Sequence, residues 1–317
     1  MVSPSLRIVY FGTPTFAVPT LERLIASPHQ VVAVVSQPNR PKGRGQRLLP
    51  TATSEVAARS GVPVFQPDRI RDLGFSDLIA ALQPDLGVVA AYGKILPDAL
   101  LAVPRYGMIN VHASILPAYR GAAPVHRAVI AGEPETGVTI MRVVRELDAG
   151  PTFAIARRAI DPDETSEDVE RGLAELGAGC LLDVVTAIAE GRAVETAQDD
   201  SRATYAAKLL RSESTIDWSL PAARIHDLVR GLQPWPLVAV SLAGARHLIH
   251  QTAHTERQTD APGGTLVHAA GEHLEVAGGD GRVLRIVRIQ PEGRRVMTAR
   301  DFLAGHRVAV GTRLDPP

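Results

Sequence analysis

Short unbroken apolar runs alternate along the chain with segments whose apolar residues recur at helical spacing. Residues 6–11 form one such run, which ends at Gly12-Thr13-Pro14, and the next apolar positions, Phe16, Leu21, Leu24 and Ile25, suit one face of a helix. Strand, tight turn and helix in that order open a parallel α/β unit. The pattern repeats, predicting strands over 31–35, 62–65, 86–91, 108–112 and 138–144 and helices over 51–60, 75–82 and 122–131. Strands that read as continuous apolar runs are buried on both faces. The expectation is an α/β fold, a Rossmann-like, mostly parallel sheet covered by helices on each side.

The pattern changes after about residue 160. Residues 167–190 predict a long helix with apolar positions Val169, Leu173, Leu176, Leu181, Leu182, Val185 and Ile188. Residues 191–207 read as a linker, being polar and short of apolar runs through 204. A helix over 222–232 follows, then strand-like runs at 237–242, 247–250, 265–268, 274–276 and 283–289, punctuated by Gly263-Gly264 and Gly278-Gly279-Asp280-Gly281. Short strands between glycine turns predict a smaller C-terminal β-barrel, OB-like in type. The division expected is therefore 1–190, a linker over 191–207, and 208–317.

The length of 317 residues agrees with two domains, and 45% hydrophobic with 21% charged residues is ordinary for a globular protein. Thirty-four basic residues balance 34 acidic ones, so a polyanionic partner would have to be met by local charge. The single cysteine, Cys180, can form no internal disulfide, which suits a reducing, cytoplasmic setting. It has no Cys or His neighbour at zinc-ligand spacing and sits before Leu181-Leu182 in the long helix, so it reads as a small buried hydrophobe and no metal is expected. The N-terminus lacks a charged segment followed by a long apolar one, and no unbroken stretch of 18 apolar residues occurs. Neither a signal peptide nor a membrane partner is expected.

Chemistry concentrates between residues 107 and 151. Asn110 and His112 are two apart on a predicted strand and so project from one face, ahead of a loop rich in Pro and Gly. Glu146-Leu147-Asp148-Ala149-Gly150-Pro151 follows the strand over 138–144. Ligand crevices of open α/β sheets form outside the carboxyl ends of strands, so the three side chains converge if the two strands are near each other. An amide donates to an oxyanion without changing charge, an imidazole donates or shuttles a proton near neutrality, and a carboxylate orients the imidazole or takes a proton. No Ser or Cys lies beside a base in a nucleophile elbow, which favours direct attack by a substrate amine. Taken without context, Asn110 and His112 also suit packing, and Asp148 suits a plain turn.

Residues 6–160 resemble the folate-dependent formyltransferase family. The resemblance rests on Asn110 and His112, the turn Ser114-Ile115-Leu116-Pro117, the run Tyr119-Arg120-Gly121-Ala122-Ala123-Pro124, and the loop Leu147-Asp148-Ala149-Gly150, all in family order and spacing. It implies that Asn110, His112 and Asp148 are catalytic. It also implies that a 10-formyltetrahydrofolate donor lies beside Ser114, Ile115, Leu116 and Pro117. Ala90-Ala91-Tyr92-Gly93-Lys94-Ile95-Leu96-Pro97 is similar to the loop bordering the pterin, which implies folate contacts at Tyr92, Gly93, Ile95 and Leu96. The chain departs from the pattern at Ile115, where Leu is usual, and at Glu146, where Gly is usual; the first change conserves volume.

Other segments resemble the members of that family that formylate methionyl-tRNA. One is the opening, residues 6–17. A second is the loop over 37–50, whose Arg40, Lys42, Arg44 and Arg47 carry four positive charges with no acid and suit phosphates. Ile216-Asp217-Trp218-Ser219, Gln233-Pro234-Trp235-Pro236 and residues 290–297 complete the resemblance, which spans nearly the whole chain. Residues 282–313 hold eight arginines, Arg294 and Arg295 among them, against Glu292 and Asp301. Both tryptophans read as packing anchors. What the resemblance implies is a monomer that transfers the formyl group of 10-formyltetrahydrofolate to the amino group of initiator methionyl-tRNA, with Arg40, Lys42, Arg44, Arg47, Arg294 and Arg295 on the tRNA. The alternative acceptor is a small amine such as a nucleotide-linked amino sugar, which would need neither basic segment. A nicotinamide-dependent oxidoreductase would need a glycine fingerprint after residue 11, which Gly12-Thr13-Pro14 lacks.

Overall fold

A computed structural model describes residues 4–42 and 47–316. Two compact units comprise Met1–Gly121, Thr136–Arg158 and Glu170–Tyr205 on the one hand, and Ala122–Glu135, Ala159–Val169 and Ala206–Pro317 on the other. This division interleaves the chain, whereas the sequence suggests one continuous domain over 1–190, a linker over 191–207 and a second domain over 208–317. Residues 191–205, read from sequence as a linker, are hydrogen-bonded into the first unit, and 122–135 fold with the second. The latter segment carries Ile130, which lies so close to Gly231 that a Cβ there would sit 2.4 Å from Ile130 Cγ1.

Through residue 206 the elements are β1 (Arg7–Gly12), α1 (Val18–Ile25), β2 (Gln30–Val35), β3 (Arg40–Lys42), β4 (Arg47–Leu49), α2 (Ala52–Arg59), β5 (Val64–Phe65), α3 (Leu73–Ala81), β6 (Leu86–Ala90), α4 (Asp98–Leu101), β7 (Met108–His112), β8 (Arg120–Gly121), α5 (Pro124–Ala131), β9 (Glu135–Arg142), β10 (Thr152–Ala159), α6 (Ser166–Ala189) and β11 (Tyr205–Ala206). The main sheet of the first unit has the order β10-β9-β7-β6-β1-β2-β5. β1 pairs in parallel with β2 and β6, β2 with β5, and β6 with β7, whereas β9 runs antiparallel to β7. Ile8, Val9, Tyr10 and Phe11 of the central β1 are fully buried, which is why this strand reads as an unbroken apolar run. The strand order reverses beside β1, with β2 and β5 to one side and β6, β7, β9 and β10 to the other. A crevice is expected at such a switch.

α6 is apolar and long enough to cross a membrane by length and composition, although no unbroken apolar stretch marks it in the sequence. In the fold it is a packing helix, with Val169, Leu173, Leu181, Val185 and Ile188 buried as their spacing predicts. Its Gly177 lies where a Cβ would meet Val111 and Val138 of the sheet at 3.1 and 3.4 Å. Cys180 is half-buried in the same helix, and burial together with Asp183 pushes its thiol pKa up to about 11, away from nucleophilic use. β10 escapes the periodicity because it is an edge strand. It is exposed at alternate positions and carries Arg157 and Arg158 where a core strand would be apolar.

The second unit adds α7 (Ala222–Gly231), β12 (Val238–Leu242), β13 (Ala245–Gln258), β14 (Leu266–Ala270), β15 (His273–Ala277), β16 (Arg282–Pro291), β17 (Met297–Thr298), α8 (Ala299–Gly305) and β18 (Leu314–Asp315). Its sheet runs β14-β15-β16-β13-β12-β18, with β17 on β16. Ala243 and Gly244, both at positive φ, make the two-residue turn between β12 and β13 that the right-handed twist favours. Amides of Leu266 and Leu314 donate to the carbonyls of Thr312 and Gly264 (2.8 Å each), so the last strand returns to the first and the sheet curls into a barrel. Trp218 anchors its core as expected and packs on Gly264, where a Cβ would lie 2.8 Å from the indole. Trp235 instead is half exposed.

Candidate active site

His112 ends β7 and is almost wholly buried. Its Nε2–H donates to the carbonyl oxygen of Tyr119 at 3.0 Å. A carbonyl can only accept, so Nε2 holds its proton and Nδ1 is the nitrogen left to face the neighbouring loop. Nδ1 faces Oδ2 of Asp148 at 3.6 Å. Asn110 shares the strand face two residues back. It is half-buried, and its side chain makes no hydrogen bond to another described residue, which leaves the amide for a ligand. All three side chains anticipated from sequence therefore belong to β7 and the loop after β9.

The route by which Asp148 arrives differs from the strand-end argument. β9 is antiparallel to β7, with Ile109 opposite Arg142 and His112 opposite Thr139. The loop over 143–151 leaves the sheet at the Met108 end, where the Val143 amide donates to the Met108 carbonyl (2.8 Å), and folds back along β7. Gly150 permits this return. A Cβ at that position would stand 2.0 Å from the Arg142 carbonyl oxygen. Asp148 itself sits at φ 51°, a left-handed conformation that Asp tolerates better than most residues. Glu146, where the family resemblance leads to an expectation of glycine, is exposed, and its carbonyl accepts from the Ala149 amide at 3.4 Å.

Residues to which sequence alone assigns no individual role hold this loop. The Gly121 amide donates to Asp148 Oδ2 at 2.9 Å. Gln198 Nε2 donates to the carbonyls of Asp148 (2.9 Å) and Gly150 (2.7 Å), while its Oε1 accepts from Arg120 Nε (3.1 Å) and Nη2 (2.8 Å). Buried Arg120 also pairs with Asp200 at 2.6 Å. On the other side, Thr204 accepts the amides of Tyr119 at Oγ1 and Arg120 at its carbonyl (2.8 Å each), fixing the peptide that receives the His112 proton. A polar stretch such as 198–204 carries no periodic signal, so only its fold reveals it as a brace.

The turn after His112 is equally tied down. Ser114 Oγ donates to Ala118 O (2.6 Å), and Thr139 Oγ1 donates to Ser114 O (2.7 Å) while accepting the Leu116 amide (3.1 Å). Ser114 and Leu116 are buried, whereas Ile115 and Pro117 are half-buried. In the loop after β6, Tyr92 is buried edge-on to Phe11, with ring centroids 5.7 Å apart, and its hydroxyl has no hydrogen-bond partner among the described residues; burial raises its pKa to about 12. Gly93 has φ 78°. Leu96 is buried, but Ile95 is exposed and, with Lys94, Asp68, Arg69, Ile70 and Arg71, lines a cavity of about 390 Å³.

Of the anticipated basic contacts, Arg40 is exposed at the start of the β3–β4 hairpin, and Arg44 lies outside the described residues, as do the side chains of Lys42 and Arg47. Arg294 and Arg295 are exposed in the turn between β16 and β17. Of the eight arginines over 282–313, seven are exposed, and Arg285 is half-buried.

Two family descriptions match the chain: formyl transferase over residues 6–185, and formyl transferase, C-terminal domain, over 208–307. The methionyl-tRNA formyltransferase of Methylococcus capsulatus is 44% identical over 98% of this chain and 99% of its own. That of Trichlorobacter lovleyi is 45% identical over 98% and 97%. The chain belongs to the methionyl-tRNA formyltransferase family. A solved N-formyltransferase from Helicobacter canadensis, in complex with folinic acid and dTDP-3-aminofucose, shares the fold at a TM-score of 0.69 and 16% identity, covering 90% of this family member and 99% of that chain.

Proposed function

We propose that this enzyme transfers the formyl group of 10-formyltetrahydrofolate to the amino group of initiator methionyl-tRNA, as a cytoplasmic monomer. The observation that carries the reading is the trio on β7 and its neighbouring loop: His112 held at Nε2 by a carbonyl, Asp148 against Nδ1, and an unengaged Asn110 amide. Near full-length identity of 44–45% to methionyl-tRNA formyltransferases supports the choice of acceptor over an amino sugar.

In this reading the neutral methionyl amine attacks the formyl carbon, forming a C–N bond and a tetrahedral oxyanion. The Asn110 amide and the Nδ1–H of His112 donate to that oxyanion, as preorganised donors do at acyl-transfer sites. Asp148 orients the imidazole and helps carry the proton given up by the amine to N10 of the folate as the C–N10 bond breaks. Tyr92, Gly93, Ile95, Leu96 and Ser114, Ile115, Leu116 and Pro117 would border the folate. Exposed Ile95 and Leu147 are apolar side chains that a pterin ring would cover. Arg40, Lys42, Arg44, Arg47, Arg294 and Arg295 would meet acceptor-stem phosphates.

The test is formyl transfer from 10-formyltetrahydrofolate to methionyl-tRNA, with a nucleotide-linked amino sugar as competing acceptor and tRNA binding measured against salt. Formyl-methionyl-tRNA should accumulate, and replacing Arg294 and Arg295 should shallow the salt dependence by up to about two counterions. Formylation of the sugar alone would overturn the acceptor.

A further inference from the structure

The second unit holds a cluster that formyl transfer does not use. His268 on β14 lies opposite Glu275 on β15, Glu275 lies opposite Arg285 on β16, and His273 precedes Glu275 by two residues. Strand periodicity therefore puts all four side chains on one sheet face. Nδ1 of His268 lies 3.7 Å from Oε2 of Glu275, and Nδ1–H of His273 donates to Oε1 at 2.9 Å, a bond whose proton a metal would displace; one ligand atom from each of the three residues falls within 4.8 Å of the others. The imidazole rings stack 4° from parallel with centroids 5.1 Å apart, so both present the same edge to the carboxylate.

Nδ1 of His268 and Oε2 of Glu275, buried atoms on side chains 31% and 5% exposed, have no hydrogen-bond partner among the described residues. Their 3.7 Å separation is too long for a hydrogen bond. It does fit a shared ion, since ligand bonds of about 2.0–2.2 Å subtend roughly 125° across such a gap. Arg257 reaches Oε2 with Nε at 3.2 Å, but its side chain is half exposed and free to turn to solvent. Arg285 Nε is buried beside the cluster without an acceptor. Both guanidinium groups oppose a second cation, so their charges set the affinity below that of a purely His and Glu cage.

We infer that His268, His273 and Glu275 form a binding site for one divalent cation of the zinc type, ligated by two imidazole Nδ1 atoms and a carboxylate, with the remaining coordination position open to water. Imidazole and carboxylate together suit Zn²⁺, Co²⁺ or Ni²⁺ better than Ca²⁺ or Mg²⁺, which prefer all-oxygen shells. The site stands on its own geometry and is independent of the acceptor in formyl transfer.

The experiment is calorimetric titration of the full chain, stripped with chelator, with ZnCl₂, and in parallel with CoCl₂ followed by visible absorption. One equivalent should bind. His268→Ala with His273→Ala, both at partly exposed positions, should weaken binding at least about tenfold while the circular dichroism spectrum is unchanged, since loss even of outer-shell partners costs about 10–100-fold. Arg257→Gln should tighten it. Absence of stoichiometric binding, or binding of the same strength in the double variant, would overturn the inference.

Discussion

His112 Nδ1 and Asp148 Oδ2 meet at 3.6 Å although the loop bearing Asp148 leaves the sheet at the opposite end of the strand bearing His112. The contact exists because the loop over 143–151 folds back along β7 and is held there by Gly121, Gln198 and the glycine at 150. The relationship ties the chemistry of two residues to the integrity of a brace.

His112→Ala should lower kcat by at least about 10²–10³, the usual cost of one oxyanion donor, with Tm little changed. Asp148→Asn keeps the shape but withdraws the charge beside Nδ1, so kcat should also fall. A single-turnover assay with pre-bound substrates reads the chemical step directly. Turnover within a few-fold of the parent in either variant would remove that residue from the mechanism.

Gln198→Glu retains an acceptor for Arg120 but loses the amide that donates to the Asp148 and Gly150 carbonyls. A misplacement of about 1 Å costs as much as 10² in rate, so kcat should drop by about 10–100-fold while folate KM moves less. Equal loss in kcat and in thermal stability would instead mark a purely structural role.

Gly150→Ala puts a methyl carbon 2.0 Å from the Arg142 carbonyl oxygen, and backbone cannot yield as a side-chain tip does. The loop must shift, at a cost on the order of 1–3 kcal/mol in stability. Glycine at 146 in place of Glu146 should be nearly neutral for folding, because that exposed residue meets no such constraint. Paired denaturant titrations compare the two.

Acid should destabilise the second unit through His226. Burial, chiefly, holds its pKa below the ordinary 6.5, while Nε2 donates to the Pro162 carbonyl (3.1 Å) and Nδ1 meets Thr252 Oγ1 (2.9 Å). A depressed folded-state pKa means that the unfolded chain binds the proton more readily. The contribution is then complete above pH 6.5 and is lost as pH falls toward the lower folded value. Half-buried His126 and buried His247 shift in the same direction. Tm measured from pH 8 to pH 5 should fall on the acid side, and less steeply in His226→Gln; parallel profiles would rule His226 out as a source.

Much of the first unit was legible because buried parallel strands are unbroken apolar runs, as at Ile8–Phe11, and because α6 keeps its apolar residues in helical register. β10, α8 and the β3–β4 hairpin were not. Edge strands and short capped helices take their stability from neighbours, as α8 does from the Thr298 cap and from Phe302 packed on His247. Cluster chemistry behaves the same way: His268 and Glu275 are ordinary residues until the strand register places them face to face.

The order of residues alone determined the α/β character and the barrel-forming C-terminal strands, because periodicity is a local property, and it offered Asn110, His112 and Asp148 as candidates through a family resemblance. Only the tertiary structure decided that Nε2 of His112 is committed to the Tyr119 carbonyl, that Asp148 arrives from the far end of its neighbouring strand, and that Gln198 and Arg120 hold it there. Those contacts join residues between 7 and 78 positions apart, through hydrogen bonds of polar side chains that have no period to read.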